Sequence, residues 1–315
     1  MRPTRKRPAT SVRVFAPGSV GNVGPGLDIL GLALAACGDR VEASWDPSKE
    51  IVIADPGHLS ISADPQRNTA GLAASEVLRR AGQPDRGVRL RVKKGLPLSG
   101  GQGGSAASAV AAAVAVNHLL GAPLERLALL EACLAAEEAV AGRHADNIAP
   151  SLLGGIVLIR SLDPPDLVQL PVPRNLHVAL ARPEQQLRTM DGRAVLPGLI
   201  ARDVAMYQAA QVGAMIAALG SGDLPLLGRA LDDRIAEPAR SPLLPGFEEA
   251  KAAALDAGAL GGSISGSGPT AFALVSSEAA GRRVAEAMAT AYRRAGLSCQ
   301  TLVSKVDRKG ARLES

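Results

Sequence analysis

Pro97-Leu-Ser-Gly-Gly-Gln-Gly-Gly-Ser-Ala-Ala107 is the stretch of this 315-residue sequence best suited to chemistry. Gly100, Gly101, Gly103 and Gly104 permit a tight turn and leave successive backbone N–H groups uncovered. The Ala-rich segment that follows reads as a helix. Its first N–H groups have no intrahelical partner and carry the positive end of the helix dipole. Together these features make a cradle for an anion, phosphate above all. Ser105 adds a hydroxyl able to ligate Mg²⁺ while the loop holds phosphates. The Lys-Ser/Thr ending of the common P-loop is absent. Gly101, Gly103 and Ala106 satisfy a G-x-G-x-x-A spacing. The acidic residue that a dinucleotide site needs roughly 20 residues on, at the end of a second strand, is missing. A loop that merely turns the chain accounts for the same spacing.

Three other stretches are polar or glycine-rich beyond what a connector needs. In Pro17-Gly-Ser-Val-Gly-Asn-Val-Gly-Pro-Gly-Leu-Asp28, Asn22 and Asp28 flank a tight turn and could receive an amine. An Asx-capped turn is the plain alternative. Arg143-His-Ala-Asp-Asn147 crowds donors and acceptors just after a helix that carries Glu137 and Glu138. A carboxylate beside a phosphate cradle is placed to hold Mg²⁺. Gly261-Gly-Ser-Ile-Ser-Gly-Ser-Gly-Pro269 could form a second anion nest or a flexible hairpin entry. Arg193 and Arg240 each offer a rigid fork that fits a carboxylate, although a lone arginine is most often a surface ion pair.

The elements that must position these residues are mixed. Alternation predicts strands at 12–15, 40–45, 51–53 and 88–93, with Pro17–Gly26 as a turn-rich stretch and Leu27–Cys37 as an apolar run. Helical spacing predicts helices at 69–81, 105–120 and 124–141, then a strand at 154–160. Pro164, Pro165, Pro171 and Pro173 mark a candidate domain boundary. Beyond it come a strand at 176–181, helices at 199–219, 223–236 and 246–257, a strand at 270–275, a helix at 278–295 and a strand near 299–306.

Composition narrows the function further. Hydrophobic residues make up 47% and aromatics 2%, so the core is built of Ala, Leu and Val, and base-stacking platforms are excluded. The net charge of +5 owes much to Arg2, Arg5, Lys6 and Arg7. Such a tail reads as a solvated terminus or as a nucleic-acid arm. Cys37, Cys133 and Cys299 are far apart and without metal spacing, which predicts reduced thiols in a cytoplasmic protein. The apolar run Ala106–Val116 is too short to span a bilayer.

In order and spacing, these motifs resemble those of the GHMP small-molecule kinases. Residues 97–107 follow the family's Pro-x-x-x-Gly-Leu-Gly-Ser-Ser-Ala-Ala loop. Pro17…Asn22…Gly26-x-Asp28 follows its first motif and Gly262–Phe272 its third. The run His144-Ala-Asp-Asn-Ile-Ala-Pro-Ser-Leu-Leu-Gly-Gly155 is similar to the branch that phosphorylates L-homoserine. So are Arg193-Ala-Val-Leu-Pro and Ile235-Ala-Glu-Pro-Ala-Arg-x-Pro-Leu-Leu-Pro-Gly-Phe247. The sequence departs from the family at Gln102 (Leu), Gly104 (the first Ser), Ser19-Val-Gly-Asn22 (Ser-Ser-Ala-Asn) and Leu27 (Phe).

The resemblance implies a two-domain α+β GHMP kinase fold. Its N-terminal ribosomal-protein-S5-like α/β domain would span 11–170 and its C-terminal ferredoxin-like domain 171–306, with 1–10 a basic tail. It implies ATP-dependent phosphorylation of the L-homoserine hydroxyl, the step that commits carbon to threonine, by a homodimer that binds neither nucleic acid nor membrane. The triphosphate falls to Pro97, Leu98, Ser99, Gly100, Gly101, Gln102, Gly103, Gly104, Ser105, Ala106 and Ala107. Ser105 and Glu137 are the implied Mg²⁺ ligands, with Glu138 the alternative to Glu137. Arg193 and Arg240 fit the substrate carboxylate, and Asn22 and Asp28 its ammonium. Asp146 and Asn147 would orient the hydroxyl with His144 nearby, so Ser105, Glu137 and Asn147 form the catalytic group. A relative acting on mevalonate or a sugar, and a non-catalytic ATP sensor, are the competing readings.

Overall fold

The computed structural model describes residues 10–140 and 142–314; the basic side chains Arg2, Arg5, Lys6 and Arg7 lie outside the described residues. The chain opens with β1 (Ser11–Gly21), β2 (Leu30–Trp45), β3 (Ile51–Asp55), helix α1 (Thr69–Arg80) and β4 (Val88–Lys93). Helices α2 (Gly104–Leu119), α3 (Arg126–Glu138) and α4 (Ile148–Leu153) follow, then the hairpin β5 (Ile156–Leu162) and β6 (Pro165–Leu170). Next come β7 (His177–Pro183), α5 (Thr189–Ala194), α6 (Arg202–Ser221), α7 (Leu224–Arg229), α8 (Ala236–Arg240) and α9 (Phe247–Asp256). The remainder is β8 (Gly261–Ile264), β9 (Ala271–Val275), α10 (Glu278–Arg294), β10 (Cys299–Lys305) and β11 (Arg312–Glu314).

Two sheets organise these elements. One has seven strands in the order β11-β1-β2-β4-β3, with β5 on the other end of β2 and β6 beyond it. The other has four, in the order β10-β7-β9-β8. The strictly alternating β4 buries Val88, Leu90 and Val92 and turns Arg89, Arg91 and Lys93 to solvent. Helix α2 is apolar on every side and is buried along nearly its whole length. Its alanines let α1, α3 and the sheet approach closely, so an all-aliphatic core fills without aromatic volume. Helix α10 is amphipathic, capped by Ser277, and lays Val284, Met288 and Tyr292 on the second sheet.

The structure corrects several local expectations. Pro17–Gly21 is not a turn: β1 continues through it, with a register shift at Pro17/Gly18 where it pairs with β2. The small residues here serve close approach instead. A Cβ on Gly31, opposite Gly21, would sit 1.7 Å from the Asp146 carbonyl oxygen. From Leu30 the apolar run merges with the strand expected at 40–45 into β2, one long strand that joins both ends of the sheet. The proline cluster brackets β6 rather than an open linker. The helix expected at 223–236 breaks after α7. Asp233 there accepts the N–H groups of Ile235, Ala236 and Glu237 and starts α8 anew. Gly261–Ile264 is a fully buried edge strand of the second sheet, paired with β9, and not a flexible entry. After residue 306 the chain returns to the first sheet, where β11 pairs with β1.

Candidate active site

A cleft of about 620 Å³ is lined by the glycine loop, the start of α1, the end of α3, α5 and the turn Gly266–Gly268. The loop leaves β4 and reverses through Ser99, Gly101 and Gly103, all with positive φ. At Gly103 this is obligatory, because a Cβ would lie 2.1 Å from Ser19 Oγ. Gly103 caps α2 without a side-chain bond, and the first intrahelical bond runs from Ala107 N–H to the Gly103 carbonyl. The amides of Gly104, Ser105 and Ala106 therefore remain unpaired at the positive end of a 16-residue helix.

The loop is held from behind by its carbonyls. Thr270 Oγ1 donates to Gly100 at 2.5 Å, Ser265 Oγ to Gly101 at 2.6 Å, and Ser19 N–H to Gln102 at 3.1 Å. The third motif is thus a clamp on the loop and not a separate anion nest. Two loop residues face away from the cleft. Gln102 Nε2 reaches Thr270 Oγ1 at 3.4 Å, and Ala107 packs in the core. The family's Leu-to-Gln departure consequently lies behind the cradle.

Where α2 and α3 meet at the cleft, Ser105 Oγ donates to Glu137 Oε1 at 2.9 Å. Glu137 Oε2 is buried and has no hydrogen-bond partner among the described residues. Burial pushes the Glu137 carboxyl up to about 6, the Ser105 hydroxyl opposes the shift, and the charge of Asp146 adds to it. Glu138 is exposed and pairs with Arg143 at 3.4 Å, away from Ser105.

The first motif and the His144–Asn147 run meet across the cleft from this pair. Asp28 takes Arg193 as a fork, at 2.7 Å and 3.3 Å, and His144 Nδ1 lies 3.4 Å from the same carboxylate. Burial opposes ionisation of Asp28, but the Arg193 hydrogen bond and charge outweigh it and hold the carboxyl below its ordinary value. His144 is held below its ordinary value chiefly by burial; the Asp28 charge opposes the shift, and the Arg193 and Arg240 charges add to it. Asp146 is buried, its Oδ2 has no partner among the described residues, and burial with the neighbouring Asp28 charge pushes it up to about 6. Asn147 Oδ1 accepts the Ser19 hydroxyl at 2.9 Å.

Two predicted ligands also serve the backbone. Asn22 Oδ1 accepts the Asp28 N–H at 2.8 Å and so closes the turn from 22 to 28, a longer span than the two residues of an Asx turn. Arg240 is buried, with Nε donating to Gly192 at 2.9 Å and Nη1 to Gly266 at 3.0 Å. It braces the segment carrying Arg193 while one edge lines the cleft. The cleft wall from the β3–α1 loop, including Pro56, Ile61 and Asn68, was missed by sequence reasoning. Only Asn68 had a signal there: it caps α1 by accepting the Ala70 N–H.

Comparison with known proteins agrees with this architecture. Residues 68–155 match the model of the GHMP kinases N terminal domain, and residues 215–294 that of the GHMP kinases C terminal domain. A homoserine kinase of Chloroherpeton thalassium is 42% identical, covering 95% of this chain and 98% of that protein. One from Arabidopsis thaliana is 44% identical, covering 96% and 84%. The crystal structure of homoserine kinase from Cytophaga hutchinsonii superposes with a TM-score of 0.94 at 40% identity, covering 98% and 99% of the two chains. A mevalonate kinase of L. major, at 16% identity and a TM-score of 0.65, shares the fold. The chain belongs to the GHMP kinase family.

Proposed function

We propose that this protein is a kinase that transfers the γ-phosphoryl group of ATP to the side-chain hydroxyl of L-homoserine, giving O-phospho-L-homoserine and ADP. One observation carries the reading. A single cleft sets an amide cradle and a Ser–Glu pair opposite a pocket built on the Asp28–Arg193 ion pair with the Arg240 guanidinium beside it. The first half suits a triphosphate and the second a zwitterionic amino acid.

The amides of residues 104–106 cradle the phosphates, and phosphoryl transfer asks mainly for positioning and charge balance. The donor set at Ser105 and Glu137 is hard oxygen, with Glu137 Oε2 unpartnered among the described residues, and it fits Mg²⁺. Ser105 and Glu137 would hold the ion, whose charge would offset that of the phosphates. Asp28 receives the substrate ammonium and Arg193, with Arg240 behind it, the carboxylate. The substrate thereby brings its own partner for each member of the Asp28–Arg193 pair. The orphaned Asp146 Oδ2 orients the hydroxyl with Asn147, which Ser19 holds in place.

The assignment to a dimer is supported by α6. No charge occurs between Asp203 and Asp223, yet Met206, Ala210, Gly213 and Ala217 on it are exposed. Light scattering of the purified protein should give twice the chain mass. A cytoplasmic setting is consistent with three free cysteines, and no described helix is long and apolar enough to cross a membrane.

The test is ADP release from Mg·ATP, with L-homoserine set against L-serine, L-threonine and mevalonate. Release that depends on L-homoserine is expected. Turnover with mevalonate instead would overturn the substrate assignment.

A further inference from the structure

Lys94 follows β4 and places its ammonium group under the first turn of α2. It pairs with Asp39, and donates to the Gly104 carbonyl and to Ser108 Oγ at 3.0 Å each. Ser108 donates onward to Asp39 Oδ2 at 2.7 Å. Asp39 Oδ1 accepts the N–H groups of Gly95 and Leu96 at 3.0 Å and 3.3 Å. Both charges are buried, Asp39 completely.

A lysine at the floor of an anion cradle invites a simple role as a phosphate ligand. The hydrogen bonds argue otherwise. An ammonium has three N–H donors, and here each has its own acceptor. Its charge is already matched by Asp39. What it does hold is one peptide unit, since the Gly104 carbonyl and the Ser105 N–H belong to the same plane and point in opposite directions. Anchoring that carbonyl toward the core fixes the Ser105 N–H toward the mouth of the cradle. A buried ion pair is weak evidence for stability, which leaves geometry as its better explanation.

We propose that Lys94 is a positioning residue for the nucleotide phosphates, acting through the Gly104 carbonyl on the Ser105 amide and with Asp39 as its anchor. The proposal rests on the reading above that the loop holds ATP.

Three variants of the full chain test it. Asp39→Asn frees the ammonium to swing outward. The proposal expects the KM for ATP to rise at least fivefold and the KM for L-homoserine to stay within twofold. A direct phosphate contact would leave ATP affinity unchanged or tighter, and that result overturns the proposal. The double variant Asp39→Asn/Lys94→Met removes both buried charges. It should melt near the wild type yet lose at least tenfold in kcat/KM for ATP, along with most of the thermal stabilisation given by ADP. A folded double variant with wild-type ATP kinetics, or with both KM values raised alike, refutes it. Should that variant not fold, Ser108→Ala keeps both charges and removes one acceptor. A rise in ATP KM of about threefold supports the proposal, and no change counts against it. If the wild type binds ADP but ignores L-homoserine, the substrate reading fails, while the ADP stabilisation of these variants still decides the role of Lys94.

Discussion

Glu137 and Asp146 are carboxyls placed where ionisation is costly, and the sign of that cost can be worked out. Both have folded-state values near 6, above their ordinary range, chiefly through burial. Between about pH 4 and pH 6 the folded chain binds more protons than the unfolded one, so this contribution lowers stability as pH rises and is fully felt above about pH 6. Asp28, held low by Arg193, works in the opposite sense and loses its contribution as pH falls. Asp146→Asn should therefore raise Tm by about 2–4 °C at pH 7.5, with no gain at pH 4. Scanning calorimetry at the two pH values checks this, and an equal gain at both would show that ionisation is not the cause. Arg193→Met should raise the KM for L-homoserine at least tenfold and that for ATP less than twofold. Equal effects would remove Arg193 from the carboxylate pocket. The choice between Glu137 and Glu138 was open in the sequence because adjacent helical residues point about 100° apart. Only the position of Ser105 turns one of them into a partner. Nor does residue type reveal that the Arg240 fork is mostly spent on carbonyls.

At the scale of elements, the glycine loop tolerates change unevenly. Gly103→Ala meets Ser19 Oγ at 2.1 Å and a left-handed backbone, so a loss of about 2 kcal/mol or more in stability and of ATP turnover is expected. Gly104→Ser meets nothing nearer than 3.4 Å, with an ordinary helical backbone, and should fold with ATP KM within threefold of the wild type. Denaturant melts and ATP titrations of the two variants test the contrast; similar damage in both would mean that the space around Gly104 is not as open as described. Periodic elements such as β4, α2 and α10 were legible because one face, or every face, had to be apolar. Of the stretch 17–26, residues 22–26 do turn, but 17–21 were misread because glycine serves two ends. It permits turns, and it lets a strand pass close to a distant part of the chain, as Gly21 does under Asp146 and Asn147. Local sequence does not separate these cases, since the second depends on residues more than a hundred positions away.

For the molecule as a whole, the cradle is a shared construction. Its residues come from the first sheet's half, but Thr270 and Ser265 hold it from the second, and Gly266 N–H reaches Gly21 at 2.9 Å. The two halves were legible as separate runs of elements, whereas the dependence of one on the other was not. The last strand carries that dependence further. Beyond β10, Asp307 binds the N–H groups of Lys309 and Gly310 and the Arg312 guanidinium, and β11 then lies along β1 with Glu314 on Arg40. Ending the chain after Val306 should lower Tm by several degrees, read by thermal melt; an unchanged Tm would make the returning segment dispensable. During synthesis the earliest strand must wait, with one side unsealed, for nearly three hundred further residues to leave the ribosome. Closure of the first sheet is thereby deferred until residues 312–314 have been made, after every strand of the second sheet.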